Sequence, residues 1–254
     1  MTSPIRILDT GLKPARWNVA MTAVLAARHA DGTTPDTIRF HRYPECVLLG
    51  RTQRLADEAG SESRRPRGVE TVHRVTGGGA VYMTPRMPAW DVIIDRRALP
   101  GDLGRAARTI CEGVAAGLSQ LGCVARFRPA NDVEVGGLKV SGSSGYAEGR
   151  TIALQGTILI EDDVPAMARA LGMPKAALRD RVTCLAAVLG AAPSPAYVQA
   201  CVVQGLTAAL QRAAMHQDPS PAETADVDAL LRGEARANGT PDGGDYARTL
   251  WSRV

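Results

Sequence analysis

The pair Gly136-Gly137 stands between two runs that alternate polar and apolar residues, Asp132-Val133-Glu134-Val135 and Leu138-Lys139-Val140-Ser141. Adjacent glycines admit the positive φ that a two-residue hairpin demands, and a period of two marks strands with one buried face. The turn then sets the register: Val135 opposite Leu138, Glu134 opposite Lys139, Val133 opposite Val140 and Asp132 opposite Ser141. Val133, Val135, Leu138 and Val140 make an apolar face that needs a covering layer. Asp132, Glu134, Lys139 and Ser141 make the other face, continued by Ser143. By itself this is a half-exposed hairpin whose Lys139 pairs with Glu134, worth about 0.2–1 kcal/mol.

Around it the pattern alternates strands with helices. Ile5-Leu8, Thr37-His41, Cys46-Leu49, Val69-His73, Trp90-Asp95, Val124-Arg128 and Thr151-Ile160 read as strands. From Leu103 to Leu121 the apolar residues Leu103, Ala107, Ile110, Val114, Leu118 and Leu121 recur at three and four, as a core-facing helix requires. Pro14 opens a helix to about Arg28, and Pro165-Leu171, Ser194-Met215 and Ala222-Ala235 read as further helices. Polar breaks fall at Ala59 to Gly68, Gln217 to Ala222 and Gly239 to Asp245, and Tyr246-Val254 reads as a closing helical turn. Long antiparallel strands in the middle with helices on one side place the chain in the α+β or mixed α/β class.

The 254 residues suffice for a sizeable core, with 45% apolar and 22% charged residues. A net charge of +4 without long basic runs, and with 4% aromatic residues, argues against a nucleic-acid surface. Arg64-Arg65-Pro66-Arg67 reads as a solvated turn. Nothing approaches the roughly 18 consecutive apolar residues of a membrane span, and Val19 to Ala27 reads as a buried helix, not a leader core. Cys46, Cys111, Cys123, Cys184 and Cys201 are odd in number and lack Cys-x-x-Cys spacing, which fits a reducing cytoplasm. Of 30 basic residues only Lys13, Lys139 and Lys175 are lysine. A lysine in this chain is a less casual choice, suited to a tight site needing a compact charge.

The second unusual stretch is Arg74-Val75-Thr76-Gly77-Gly78-Gly79-Ala80-Val81-Tyr82. Three glycines free the backbone to turn and leave bare amides for an extended or anionic group, while Arg74 is a fork of donors suited to carboxylate or phosphate. A glycine hairpin with a surface arginine explains it equally well. It has neither the Gly-Lys-Ser/Thr of a phosphate-binding loop nor the spacing of a dinucleotide fingerprint.

Taken together, the glycine loop, Asn131-Asp132, Gly137-Leu138-Lys139-Val140-Ser141-Gly142-Ser143 and Gln155-Gly156-Thr157-Ile158-Leu159 resemble the lipoate-protein ligase family. Fainter matches lie at Ala15-Arg16-Trp17-Asn18, Gly50-Arg51-Thr52-Gln53 and Arg181-Val182-Thr183. The resemblance implies the biotin/lipoate-ligase catalytic-domain fold, a mixed, largely antiparallel sheet flanked by helices, spanning residues 1–254 as one domain. It also implies a two-step reaction: lipoate attacks the α-phosphate of ATP, assisted by Mg2+, and the lipoyl group then passes to a lysine of an acceptor protein domain. In its terms Lys139 is the catalytic cation. Arg74, Gly77, Gly78, Gly79, Ala80, Val81, Ser141, Gly142, Gly156 and Thr157 line the substrate site, and Asn131 and Asp132 form the nucleotide and metal side, with Asp132 the metal ligand.

Met83 and Gln155 stand where many relatives of that family carry His, and the segment from Leu171 to Arg181 is short, so a loop over the adenylate is expected to be missing. The chain stops near Trp251, where the large domain of the family gives way to a smaller accessory domain; a separate small subunit is therefore an expected partner. Two rivals stand beside the ligase. One is an ATP-independent octanoyl or lipoyl transferase working through a cysteine thioester, for which Cys123 and Cys184 are the thiols nearest the motifs. The other is a non-catalytic lipoate-binding subunit.

Overall fold

The structure, a computed structural model, describes residues 3–53, 69–99 and 101–233. The Arg64-Arg65-Pro66-Arg67 turn, the break after Gly239 and the closing turn at Tyr246-Val254 lie outside the described residues.

Strand β1 (Ile5–Leu12) leads into helix α1 (Ala15–Ala30), then β2 (Thr37–Arg42), β3 (Cys46–Leu49), β4 (Glu70–His73), β5 (Val81–Met83) and β6 (Ala89–Asp95). Helix α2 (Leu103–Ser119) precedes the run β7 (Ala125–Arg128), β8 (Asp132–Val135), β9 (Leu138–Glu148) and β10 (Thr151–Ile158). Helices α3 (Val164–Leu171), α4 (Lys175–Arg179), α5 (Leu185–Leu189) and α6 (Pro195–Leu210), strand β11 (Ala214–His216) and helix α7 (Pro221–Leu231) follow.

Eight strands form one sheet in the order β11-β1-β2-β6-β10-β9-β8-β7, parallel at its β11-β1-β2 end and antiparallel beyond. Strands β4-β3-β5 form a second, small sheet. The central strands are buried on both faces. On β6, Trp90, Val92 and Ile94 pack with α2 and α6, whereas Ile93 packs with α1, the small sheet and α3. Helices thus cover both faces, not one: strands this deeply buried need a layer on each side.

One further expectation changes. The helix predicted to run to Met215 stops at Leu210, where Gln211 takes a left-handed conformation with φ 53°, and Ala214–His216 extends the sheet beside β1. Ala, Met and His have no marked strand propensity, so pairing with the β1 edge, and not local preference, overrides the helical pattern there. The Leu171–Arg181 segment carries a short helix, α4, which packs on α3.

Helix α7 is fastened by one carboxylate. Glu223 forms a capping box with Ser220, and the same side chain accepts from Arg6 at 2.7 and 3.1 Å and from Thr34 at 3.0 Å. The Arg6 and Glu223 side chains are 4% and 1% exposed, so this pair sits in the interior and ties the last described helix to the first strand.

Candidate active site

The β8–β9 hairpin turns at Gly136 and Gly137, both with positive φ, and pairs Val135 with Leu138 and Glu134 with Lys139. Beyond that the register departs from the sequence expectation. A β-bulge between Glu134 and Val133 leaves Val140 as an extra residue, so Val133 faces Ser141 and Asp132 faces Gly142. The slip changes which residues share the lysine's face. Ser141 now has Val133 and Ile158 as cross-strand neighbours, both in the α2/α6 core, and Ser143 bonds Cys111 of α2 at 3.3 Å. Ser141 and Ser143 are therefore turned away from Lys139. Gly142 and Ser144 take their place.

Gly142 lies in a row with Asp132 on β8 and Thr157 on β10. With no side chain there, Lys139 leans across it, and its Nζ meets Asp132 Oδ1 at 2.7 Å. A Cβ on Gly142 would overlap both Lys139 Cε and Nζ. The lysine thus pairs with Asp132, not with Glu134, which instead faces Arg128 at 3.5 Å. Burial works to raise the Asp132 carboxyl, but hydrogen bonds from Arg128 and Lys139 outweigh it and leave it below the usual carboxylate range. On the β10 side, past the end of that strand, the lysine strand is held by residues 181–183: Lys139 N donates to Arg181 O and Thr183 N to Lys139 O.

The glycine loop closes over the same face. Arg74 is 6% exposed and spends its donors on the loop and on β3: Gly77 O at 2.6 Å, Gly79 O at 2.9 Å, Thr76 Oγ1 at 3.2 Å and Leu48 O at 3.1 Å. It is a clamp on the backbone, not an outward fork. With no carboxylate against it, burial pushes its guanidinium down to about 10, still charged at neutral pH. Gly78 has φ 94° and, with Gly79, is exposed; Gly77, Ala80 and Val81 are half-buried. The Gly50-Arg51-Thr52-Gln53 stretch docks beneath, with Arg51 N donating to Thr76 O, and a Cβ on Gly50 would overlap the Gly78 carbonyl.

Sequence reasoning missed a row of polar residues contributed by four strands at one height: Arg39 on β2, Asp91 on β6 and Gln155 on β10, all buried, and the half-buried Ser144 on β9, each the cross-strand partner of the next. Asp91 receives Gln155 Nε2 at 3.0 Å and Thr22 Oγ1 at 2.9 Å, and lies 3.2 Å from Arg39. Burial raises the Asp91 carboxyl against the pull of Arg39 and these hydrogen bonds. Thr76 closes the row over Gln155 and Ser144, at 3.0 and 2.8 Å. Only pairing between distant strands reveals this alignment.

Gly156 backs onto Trp90 on the α2/α6 side, where a Cβ would overlap the indole, so it supports the sheet rather than facing Lys139. Asn131 is tied down as well: its Nδ2 donates to Ser143 O, and its carbonyl accepts Ser143 N and Oγ. Asp132 directs one oxygen at Lys139 and the other at Arg128, and no cluster of three metal-ligating side chains occurs among the described residues. As arranged, this donor set does not fit a magnesium ion held by the protein. All five cysteines are buried and free. Cys111 faces the α2/α6 core with its thiol pushed up by burial, and Cys184 lines a cavity of about 200 Å³ with Leu138, Val182 and Met167.

This sheet, with its glycine loop folded over a lysine hairpin, is the fold of lipoate-ligase catalytic domains. A lipoate-protein ligase A structure bound with ATP superposes with a TM-score of 0.80 at 20% identity, covering 98% of this chain and 100% of that one. The bi-partite lipoate protein ligase of Thermoplasma acidophilum gives 0.79 at 20% identity, with 98% of each chain covered. The chain belongs to the lipoyl protein ligase A/B catalytic domain family, whose model matches residues 14–207. It is also 30% identical over 236 residues to the octanoyltransferase LipM of Symbiobacterium thermophilum, spanning 81% of this chain and 86% of that protein. Among the described residues no helix is long and apolar enough to cross a membrane.

Proposed function

We propose that the chain is a lipoate-protein ligase, which activates lipoate with ATP and passes the lipoyl group to a lysine of an acceptor domain. The observation that carries this reading is the Lys139 ammonium held over Gly142 by an ionised Asp132, at the foot of a loop with exposed glycine amides. In the first step a lipoate carboxylate oxygen attacks the α-phosphorus of ATP, and the bond to pyrophosphate breaks. In the second, the acceptor ε-amine attacks the lipoyl carbonyl, AMP leaves and the amine gives up a proton. Each step builds negative charge on oxygens that one fixed cation can face, which is stabilisation by a placed charge. Arg74 holds the loop so that Gly77, Gly78 and Gly79 wall the acyl and phosphate groups, while Ala80 and Val81 flank the chain and Thr157 borders Gly142. The nucleotide lies toward Asn131 and Asp132, and magnesium enters with its phosphates.

Likeness to an octanoyltransferase, and Cys184 lining a cavity beside the lysine strand, favour a second reading: acyl transfer through a thioester without ATP. The two separate in one experiment, modification of a lipoyl domain supplied either with lipoate and ATP or with an octanoyl thioester donor. The ligase is expected to use the first mixture, and Cys123→Ser and Cys184→Ser are expected to stay within a few-fold of the wild type. Use of the thioester donor, abolished by Cys184→Ser, overturns it. Because the Thermoplasma ligase is bi-partite, the assay includes a separate small accessory chain as a proposed partner. Five free cysteines support a reducing, cytoplasmic setting.

Gly142→Ala is expected to act like a weak loss of Lys139. The new methyl meets the flexible end of the lysine, which swings aside at little cost to stability but leaves its post. Turnover should fall by roughly 10- to 100-fold, the scale of a 1 Å misplacement, with a melting temperature near the wild type. Unchanged turnover would show that the ammonium need not sit over Gly142.

A further inference from the structure

The polar row that crosses the large sheet has a direction, which follows from its donors and acceptors. The groups that bond Asp91 are donors, Thr22 Oγ1, Gln155 Nε2 and the Arg39 guanidinium, with His41 Nδ1 further off at 4.0 Å. Gln155 must therefore present its amide nitrogen to Asp91, which turns its carbonyl oxygen to the glycine loop. There Oε1 accepts the Thr76 hydroxyl at 3.0 Å. Thr76 has one hydrogen, now spent, so the Ser144 hydroxyl at 2.8 Å donates to it, as does Arg74 Nε at 3.2 Å. One glutamine, oriented by a buried carboxylate, thus decides how the loop is fastened to β9.

We propose that Gln155 is a positioning residue for the reaction at the glycine loop. Through Thr76 it pins the loop to Ser144, the residue on the lysine's face next after Gly142, about 7 Å along the strand. Lys139 lies over Gly142, so the pin sets the distance between the loop amides and the ammonium. Arg74 braces the loop internally and to Leu48, while Asp132 braces the lysine to β8. The chemical consequence rests on the ligase reading; the pin itself does not.

The test uses the full chain with Gln155→Met, which keeps length without the amide, and Thr76→Val, which keeps shape without the hydroxyl. Thr76→Ser serves as the conservative rescue. Deuterium uptake is followed for peptides covering 74–82 and 103–119, alongside kcat and KM for the acyl acid. Both disruptive variants are expected to speed exchange in 74–82 by about tenfold or more with 103–119 unchanged, since loss of a local tie opens a local unit. They should lower kcat by roughly 10- to 100-fold with KM little altered. Thr76→Ser should match the wild type in both. Unchanged exchange at 74–82 in both disruptive variants overturns the pin. Faster exchange with wild-type kcat overturns the positioning role. If the wild type forms no adenylate, the ligase reading has failed, and the exchange arm alone still decides whether Gln155 fastens the loop.

Discussion

Lys139→Ala is expected to lower the rate of acyl activation by about 10²–10³-fold, the loss seen when one placed donor is removed from a developing oxyanion. Stability should hardly change. The side chain is 35% exposed, and a partly solvated ion pair of this kind contributes about 0–1 kcal/mol. Asp132 would also keep Arg128 at 2.9 Å, so no charge is stranded. Single-turnover kinetics beside thermal melting separates the two quantities. A large fall in the melting temperature, or turnover within a few-fold of the wild type, would mean that Lys139 serves the hairpin and not the reaction.

Glu223→Ala is expected to have the opposite signature, a large loss of stability with no part in the chemistry. It leaves Arg6 buried without a counter-charge and removes the Glu223 half of the capping box, while Ser220 Oγ keeps its bond from the backbone amide of residue 223. Breaking a buried pair on one side costs about 3–5 kcal/mol. Chemical denaturation should register most of this as a shift in midpoint with an unchanged slope. The pH dependence has a definite sign. Burial alone would raise the Glu223 carboxyl, but hydrogen bonds from Arg6, Ser220 and Thr34 and the Arg6 charge leave its folded value lowered. Its contribution is therefore complete above the ordinary unfolded carboxylate value and is lost as pH falls through the lowered folded one. Equal stability of Glu223→Ala and wild type at neutral pH would deny the pair this role.

The strands and main helices were legible because burial writes a period into the sequence: two for Val133 and Val135, three and four for Leu103 to Leu121. Gly136-Gly137 marked the hairpin turn. Local pattern could not show the bulge at Val140, because a slip of one residue depends on what the neighbouring strands require. That slip moved Ser141 off the lysine's face, brought Gly142 and Ser144 onto it, and exchanged Glu134 for Asp132 as partner. Arg74 carried the right residue type for an anion site, yet its donors went to backbone carbonyls of its own loop and of Leu48, a choice made by burial. The Arg39, Asp91, Gln155 and Ser144 row was invisible for a different reason. Neighbours in the row are up to 64 positions apart in sequence and meet only through sheet order. Family resemblance supplied Lys139 and the glycine loop; the fold supplied what holds them in place.

The most direct measurement is lipoate-dependent exchange of labelled pyrophosphate into ATP, run with the wild type and Lys139→Ala, each with and without a small accessory chain. Ligase chemistry predicts exchange by the wild type, alone or with the accessory chain, and its loss in Lys139→Ala. No exchange in either mixture, with octanoyl transfer from a thioester donor instead, would contradict it.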